Sequence, residues 1–285
     1  MSAAGWQTLG TPAPTALLDA RLQLHHAAQW AAAAGASFLE PRPDDSHPNL
    51  GWQGALGALV GHPIPGLSAL QVGLAIADAR LLLLDHQGSL AEGLPLAGRT
   101  LSEAGAWLSD AIERMGASLP AASVKVPGYE LPEHAVTAGA AFSLDSDACA
   151  ELARWFGDGD AVLGDLLPGL AGAVPARVWP HHFDLGSLVV VENAADGSLA
   201  KSIGIGLSPG DASYAEPYWY VSPWPYPPAH ALPALASGGF WHSEGFVAAI
   251  LTGSELVSGL PDAQRRRLQD FLDAAIAASR AVLDG

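Results

Sequence analysis

The chain has 285 residues, of which 49% are hydrophobic and only 15% are charged. A chain of this length buries about three quarters of its unfolded surface, so its core needs neither a disulfide nor a structural metal. Its 13 Lys and Arg residues against 29 Asp and Glu residues give a formal charge of -16, which repels nucleic-acid phosphates and anionic membranes. We therefore expect a small-molecule ligand, although an acidic surface also serves solubility alone.

The cysteine content and the first residues of the chain indicate the cellular compartment in which we expect the protein. Cys149 is the only cysteine, and it lies in a helical pattern, where a buried and unreactive thiol is the default. The first residues, MSAAGWQTLGTPAP, lack the basic and apolar regions of a signal peptide, and no apolar run is long enough to span a bilayer. The sequence therefore predicts a cytoplasmic protein in a reducing compartment, and it leaves the oligomeric state open.

The first half of the chain begins with a helix. Residues 15–40 are rich in Ala and Leu, which favour helix, and prolines follow them. Residues 70–96 have the pattern of strands that are broken at Ala77–Ala79 and by a turn at Asp85–Ser89. Thr100 and Glu103 then form a capping box, which starts an amphipathic helix that we expect to end at Gly116.

The second half also begins with a helical pattern, over residues 145–170. Five short apolar runs, separated by turn residues, predict strands; they cover residues 176–180, 185–192, 201–207, 217–224 and 245–251. The last element, residues 262–283, has apolar residues at steps of three and four and predicts an amphipathic helix. Both halves therefore run from helix through strands to helix.

This order of elements predicts an α+β fold with largely antiparallel sheets, flanking helices and two similarly ordered halves, because the strands lie too close together for parallel crossovers. The boundaries that we expect are a lead of residues 1–14, a first half of residues 15–117, a connecting segment of residues 118–146 and a second half of residues 147–285. We expect the halves to pack as one compact unit.

Two adjacent histidines and an aspartate precede an apolar run in RVWPHHFDLGSLVVV. If this stretch is a strand, side chains alternate between its two faces. His181 then lies among apolar and aromatic neighbours and belongs to the core. His182 shares the other face with Asp184, with room beyond for a ligand.

Histidine and carboxylate stand two residues apart in two more places, His242 with Glu244 and Asp45 with His47. Imidazole and carboxylate together ligate zinc, iron or manganese. The pattern predicts a divalent-metal site made of His182, Asp184, His242 and Glu244, with His47 as a fifth ligand. The alternative is that each carboxylate accepts the proton of its neighbouring imidazole and stabilises a turn.

Aromatic residues are concentrated in YAEPYWYVSPWPYPP, residues 214–228. Aromatic faces stack on sugar rings, bases and cations. This makes Trp219, Tyr220 and Trp224 candidate ligand-binding residues. The alternative is a packed strand, in which Trp219 and Val221 alternate with Tyr218 and Tyr220.

Six stretches occur together in a known order: RLQLHHAAQW, RLLLLDHQGS, GRTLSEAGAWL, HHFDLGSLV, PYWYVSPWPYP and LQDFLDAAIAASRAVLD. In them the chain resembles, over most of its length, an uncharacterised bacterial family that is defined only as a domain of unknown function. Phe183, Asp184 and Leu185 are the sharpest match. In that family aromatic and small residues precede Phe-Asp-Leu, so His181 and His182 depart from its pattern. The resemblance implies a cytosolic bacterial protein and carries over no catalytic role.

Three functions remain open. The first is a metal-binding protein or metal-dependent enzyme acting on a small molecule, in which Asp211, a loop carboxylate beside Gly210, is the catalytic base. The second is a non-catalytic binding module whose aromatic groove takes a sugar or another ring-bearing ligand. The third is a structural or interaction protein in which these residues only pack and form turns. The sequence holds no P-loop or His-Glu-x-x-His motif.

Overall fold

The computed structural model describes residues 5–65, 70–115, 124–235 and 237–284. The helices are α1 (Leu18–Phe38), α2 (Leu101–Arg114), α3 (Ser146–Leu166), α4 (Gly253–Val257) and α5 (Gln264–Asp284). The strands are β1 (Gly51–Gln53), β2 (Ala58–Val60), β3 (Gln71–Ala75), β4 (Arg80–Leu84), β5 (Leu90–Pro95), β6 (Arg177–Trp179), β7 (Asp184–Asn193), β8 (Leu199–Ser208), β9 (Tyr218–Trp224), β10 (Phe240–His242) and β11 (Ala248–Thr252). The strands pair in antiparallel sheets with helices beside them, which is the predicted α+β class.

The chain divides into two compact bodies that are interleaved along the sequence. The first body comprises Leu17–Ala153 and Arg177–Phe183. The second body comprises Met1–Ala16, Arg154–Ala176 and Asp184–Gly285. One boundary between the bodies falls inside α3, and the short segment Arg177–Phe183 returns to the first body.

In the first body, strands β1 to β5 form an antiparallel sheet in chain order. The Ala-rich helix α1 contacts β3 most extensively and is buried on nearly all sides. Small side chains permit this close packing, and Ala is the residue that most favours helix. A buried cluster that includes Val72, Leu83 and Leu108 forms the core between α1, α2 and the sheet.

The predicted capping box of α2 is confirmed. The Thr100 hydroxyl accepts the Glu103 amide at 3.2 Å, and the Glu103 carboxylate accepts the Thr100 amide at 2.7 Å. Two amides that no helical carbonyl can reach are satisfied in this way. Gly116, the expected end of the helix, lies outside the described residues.

In the second body, the antiparallel strands follow the order β10, β11, β9, β8, β7. One face of this sheet carries helices. A Cβ on Gly159 of α3 would lie 2.9 Å from Cδ2 of Leu207, and Lys201 on the same face donates to the carbonyl of Leu283 in α5 at 2.9 Å. Alternation within the strands places a second set of side chains on the opposite face.

The segment around the two adjacent histidines is a turn, so the strand alternation that we applied to His181, His182 and Asp184 does not hold there. Strand β6 ends at Trp179, and β7 begins at Asp184. Between them the amides of His182 and Phe183 both donate to the Trp179 carbonyl, at 3.1 and 2.7 Å, and Phe183 has a φ of 60°. Pro180 ends the strand because it has no amide hydrogen to donate to a ladder.

Most of the other predicted elements are confirmed, including the helices at both ends of the chain and the hairpin at Asp85–Ser89. The structure adds β1, β2, β10 and α4, which are three to five residues long. A pattern of three to five residues covers too few repeats of the helix or strand periodicity to predict the element. Cys149 is buried as predicted, and burial raises the pKa of its thiol to about 11. Among the described residues, no helix is both long enough and apolar enough to cross a membrane.

Replacing Thr100 by Ala removes one half of the capping box. We expect the free energy of unfolding to fall by about 1 kcal/mol, because the Glu103 amide then loses its acceptor. Urea denaturation measures the difference. Ser102→Ala, one position into the same helix, is the matched control and leaves stability within about 0.5 kcal/mol; equal losses in both variants would contradict a specific cap.

Candidate functional site

The face of the second body's sheet opposite to α3 and α5 carries a set of tyrosines, glycines and carboxylates. We call it the tyrosine face and define it by Asp184, Gly186, Gly204, Gly206, Tyr218, Tyr220, Ser222 and Trp224. Two-residue alternation along β7, β8 and β9 brings these side chains to the same side. The predicted alternation of Tyr218 and Tyr220 with Trp219 and Val221 is confirmed, since the latter two are buried on the helix-covered side.

Tyr220 lies across two neighbouring strands. Its hydroxyl donates to the Asp184 carboxylate at 2.5 Å. A Cβ on Gly206 would lie 2.5 Å from this hydroxyl oxygen, and so would a Cβ on Gly186. The ring therefore needs glycine beneath it on both strands. Burial of the hydroxyl, together with the negative charge of Asp184, raises the pKa of Tyr220 well above its usual range.

Asp211 makes a second tyrosine–carboxylate pair. One of its oxygens accepts the Tyr218 hydroxyl at 2.6 Å, and the other accepts the amides of Ser213 and Tyr214 at 2.8 and 2.9 Å. These bonds close the turn that leads into β9. The geometry accounts for Asp211 as a turn-forming residue, and its catalytic role stays a prediction.

His242 is held by hydrogen bonds at both ring nitrogens. Its Nδ1 lies 2.9 Å from the Tyr214 hydroxyl, and its Nε2 lies 2.7 Å from the Glu244 carbonyl oxygen. Because a carbonyl only accepts, the proton is on Nε2 and Nδ1 accepts from the tyrosine. The ring also stacks on Phe246 at 4.2 Å. His242 and Glu244 are thus paired as expected, but through the backbone oxygen of Glu244 and not through its carboxylate.

A shallow depression crosses the middle of the tyrosine face. Between Tyr220 and Trp224 on β9 the only side chain pointing the same way is Ser222, and its neighbour on β8 is Gly204. Nothing lies within 3.8 Å of a Cβ built on Gly204. Leu188, opposite Gly204 on β7, closes the far side. We call this depression the β9 trough; Gly204, Ser222, Tyr220 and Leu188 are all partly exposed along it.

The predicted ligand-binding residues are divided by the sheet. Tyr220 and Trp224 line the trough, and Trp224 is 48% exposed. Trp219 lies on the opposite face and is buried among apolar side chains. A strand cannot present successive residues to one side, so at most two of the three line a common surface.

The predicted metal ligands are divided between the bodies. His47 and His182 belong to the first body, whereas Asp184, His242 and Glu244 belong to the second. Among the residues described, no group of three or more His, Cys, Asp or Glu side chains is arranged to hold a metal ion. The divalent-metal site stays a prediction. Metal analysis of untagged protein and of the His182→Ala and His242→Ala variants tests it.

In the first body, His181 is enclosed by rings and His182 is exposed. The ring centroids of Tyr129, Trp179 and His182 lie 5.3, 6.0 and 4.4 Å from that of His181. Burial lowers the pKa of His181, and the neighbouring His182 lowers it further. His181 is half-buried instead of lying in the core as predicted.

A row of stacked imidazoles continues along α1. His25 lies 6.3 Å from His26 and stacks on Phe183 at 5.3 Å with nearly parallel rings. His25 Nε2 lies 2.8 Å from the Pro180 carbonyl, which also accepts from Gln29 at 2.7 Å. Burial is the main reason why the pKa of His25 falls to about 4. His25 is therefore neutral at pH 7 and fixes the turn at Pro180.

Sequence reasoning missed Tyr214, Tyr218 and the glycines under Tyr220. The signal that could have found the glycines is GIG in β8, because Gly204 and Gly206 are two apart and fall on one strand face. Tyr214 and Tyr218 belong to the aromatic stretch for which a binding groove and a packed strand were both open, and their hydrogen bonds to His242 and Asp211 distinguish them from packed aromatics.

Comparison of the chain with protein-family models, with curated proteins and with solved structures gives no match. The geometry of the site is therefore the basis for inferring a function.

Replacing Gly206 by Ala tests whether Tyr220 depends on glycine beneath it. The new Cβ would lie 2.5 Å from the Tyr220 hydroxyl oxygen and 2.6 Å from the Leu185 carbonyl oxygen. Since a backbone atom must move as well, we expect a loss of about 1–3 kcal/mol in the free energy of unfolding. In the matched variant Gly204→Ala the nearest atom is 3.8 Å away, so stability rises by up to about 1 kcal/mol. Denaturant titration of both variants checks the contrast, and equal effects would contradict it.

We expect the free energy of unfolding to decrease as the pH is lowered, because His25 takes up a proton more readily in the unfolded state. The unfolded state takes up a proton below a pKa of about 6.5, whereas folded His25 takes it up only near pH 4. Between these values the unfolded state binds more protons, so stability decreases as the pH falls through this window. From pH 7 to pH 4.5 the loss is about 2–3 kcal/mol.

The test compares urea denaturation of the parent and of His25→Gln at pH 7, 5.5 and 4.5. Glutamine keeps a donor for the Pro180 carbonyl but does not titrate, so the variant loses less stability than the parent on acidification. His86→Gln, at an exposed position, is the control and follows the parent. The same pH dependence in all three proteins would show that His25 contributes nothing.

Proposed function

We propose that the protein is a non-catalytic binding module that receives a small ring-bearing molecule, such as a monosaccharide, in the β9 trough. The observation that carries this proposal is the order of side chains along β9. A partly exposed aromatic residue, a small residue and an exposed aromatic residue follow one another on one face, above a glycine on the next strand.

The dimensions of the trough suit a single ring. Tyr220 and Trp224 are four residues apart, so their Cα atoms are separated by about 13 Å along the strand. Each aromatic ring takes up about 3.4 Å of this distance, and the gap that remains is wide enough for a sugar-sized molecule. Glycine at position 204 and serine at position 222 keep the floor low. A larger side chain at either position would fill the space.

Polar groups suited to a hydroxylated ligand lie at the floor and the end of the trough. The Ser222 hydroxyl donates to the Val247 carbonyl at 2.7 Å, which leaves its oxygen able to accept a hydrogen bond. The Trp224 indole contributes an apolar face with an N–H donor at its edge. Sugars combine apolar ring faces with hydroxyl groups, so aromatic stacking and a few hydrogen bonds are the contacts that they need.

The polar side chains around the trough are already hydrogen-bonded within the protein, which favours binding over catalysis. A general base needs a free lone pair within reach of the proton that it removes. Asp211 already accepts three hydrogen bonds, and both ring nitrogens of His242 are engaged. The Asp184 carboxylate accepts from Tyr220. These groups support the surface, and the ligand meets aromatic faces and hydroxyl groups.

The test is isothermal titration calorimetry with glucose, N-acetylglucosamine and benzylamine as probes. Single rings on shallow surfaces bind weakly, with a Kd of about 1 mM or higher. Gly204→Val places a branched side chain on the floor of the trough, and we expect it to lower the affinity for the bound probe at least tenfold.

Gly128→Val is the matched control, because nothing lies within 4 Å of a Cβ at that position of the first body. It should bind like the parent. Absence of heat for all three probes up to 20-fold above a Kd of about 1 mM, or unchanged binding by Gly204→Val, would overturn the proposal. Selective binding of benzylamine would replace the sugar with a cationic aromatic ligand.

A further inference from the structure

The loop that follows α1 forms a second, independent pocket in the first body. It is open, has a volume of about 400 Å³, and is lined by Leu39, Glu40, Arg42, His47, His62 and Pro63. The loop contributes its polar residues after α1 ends, and His62 comes from the segment after β2. This pocket shares no residue with the β9 trough.

The hydrogen bonds of the two imidazoles fix which nitrogen of each can meet a ligand. The backbone amide of Arg42 donates to His47 Nδ1 at 3.4 Å, so neutral His47 carries its proton on Nε2. His62 Nε2 lies 3.2 Å from the Ser46 carbonyl and 2.8 Å from the Asn49 side-chain oxygen. Since the carbonyl only accepts, His62 carries its proton on Nε2 and offers a lone pair at Nδ1.

Positive charge surrounds His62. Its pKa is lowered mainly by burial, and also by the nearby cations Arg177 and Arg42 and by His47. The guanidinium of Arg177 lies close against Gly51, 2.5 Å from where a Cβ would be. His62 is therefore neutral at pH 7 and acts there as an acceptor in a locally positive field.

Three carboxylates of the same loop, Glu40, Asp44 and Asp45, oppose this charge to different degrees. Asp44 accepts the Ser46 amide at 3.2 Å, and Arg42 is one of the groups that lower the pKa of its carboxyl. Asp45 is engaged elsewhere, since it accepts the Tyr129 hydroxyl and lies 3.8 Å from His47 Nδ1. Glu40 lines the pocket and is exposed. Arg42, the one arginine that lines the pocket, makes no ion pair with a described carboxylate.

We infer that this pocket binds a small carboxylate that carries a hydroxyl group next to its charged group. The Arg42 guanidinium and the Nε2–H of His47 donate to the carboxylate, and Nδ1 of His62 accepts the ligand's hydroxyl. Leu39 and Pro63 contact the remaining carbon atoms. Arginine suits this role because its planar fork matches the geometry of a carboxylate.

The experiment is calorimetric titration of the full chain with lactate, propionate and inorganic phosphate in a zwitterionic buffer. Lactate and propionate differ only by the hydroxyl group, so the ratio of their affinities reports on His62 Nδ1. We expect lactate to bind at least fivefold more tightly than propionate. Arg42→Gln should weaken lactate at least tenfold, whereas Arg99→Gln, an exposed arginine of the same body, should leave it unchanged.

The variant His62→Gln distinguishes a loss of ligand recognition from a loss of the folded structure. Glutamine keeps an amide donor for the Ser46 carbonyl and removes the imidazole acceptor, so the lactate-to-propionate ratio should fall towards one while the circular dichroism spectrum stays that of the parent. Absence of lactate binding in the parent overturns the inference. So does equal weakening by Arg42→Gln and Arg99→Gln, or binding of phosphate without lactate. None of these outcomes bears on the β9 trough, which the sugar titration tests separately.

Discussion

The hydrogen bond from Tyr220 to Asp184 is the constraint on which the second body's sheet depends. It spans from β9 across β8 to the first residue of β7, and it can form only because Gly186 and Gly206 leave room for the ring. A buried carboxylate without a donor is costly, so the tyrosine, the aspartate and the two glycines are required together. The same arrangement directs Tyr220 towards β7 and leaves the surface above Gly204 uncovered.

The other polar groups of the tyrosine face follow the same rule. Tyr218 with Asp211 and Tyr214 with His242 each pair a phenol with a partly exposed acceptor. The face is thus rich in side chains that could perform acid–base chemistry, but their lone pairs and protons are used within the protein. Such networks stabilise a single arrangement when they are satisfied.

The fold class, the long helices and the main strands followed from periodicity, because each spans several repeats of its pattern. The β9 alternation was also correct, and it placed Tyr220 and Trp224 together. The turn at Pro180 was missed because the alternation was continued through a proline that cannot donate a ladder hydrogen bond. The partners of Asp211 and His242 could not be found from spacing, since Tyr218 and Tyr214 come from other positions in the chain and any of five tyrosines would have satisfied the pattern equally.

The net charge of the chain is a poor guide to the sign of the field at a given site. Its formal charge of -16 argues against anionic partners only at long range, because charges in the cell are screened beyond about 8 Å. The cations Arg42 and Arg177 lower the pKa of His62 in spite of the acidic surface. On the tyrosine face the carboxylates accept hydrogen bonds from neutral phenols, which do not cancel a negative charge. The electrostatic field at each place is thus set by the few charged groups close to it and not by the net charge of the chain.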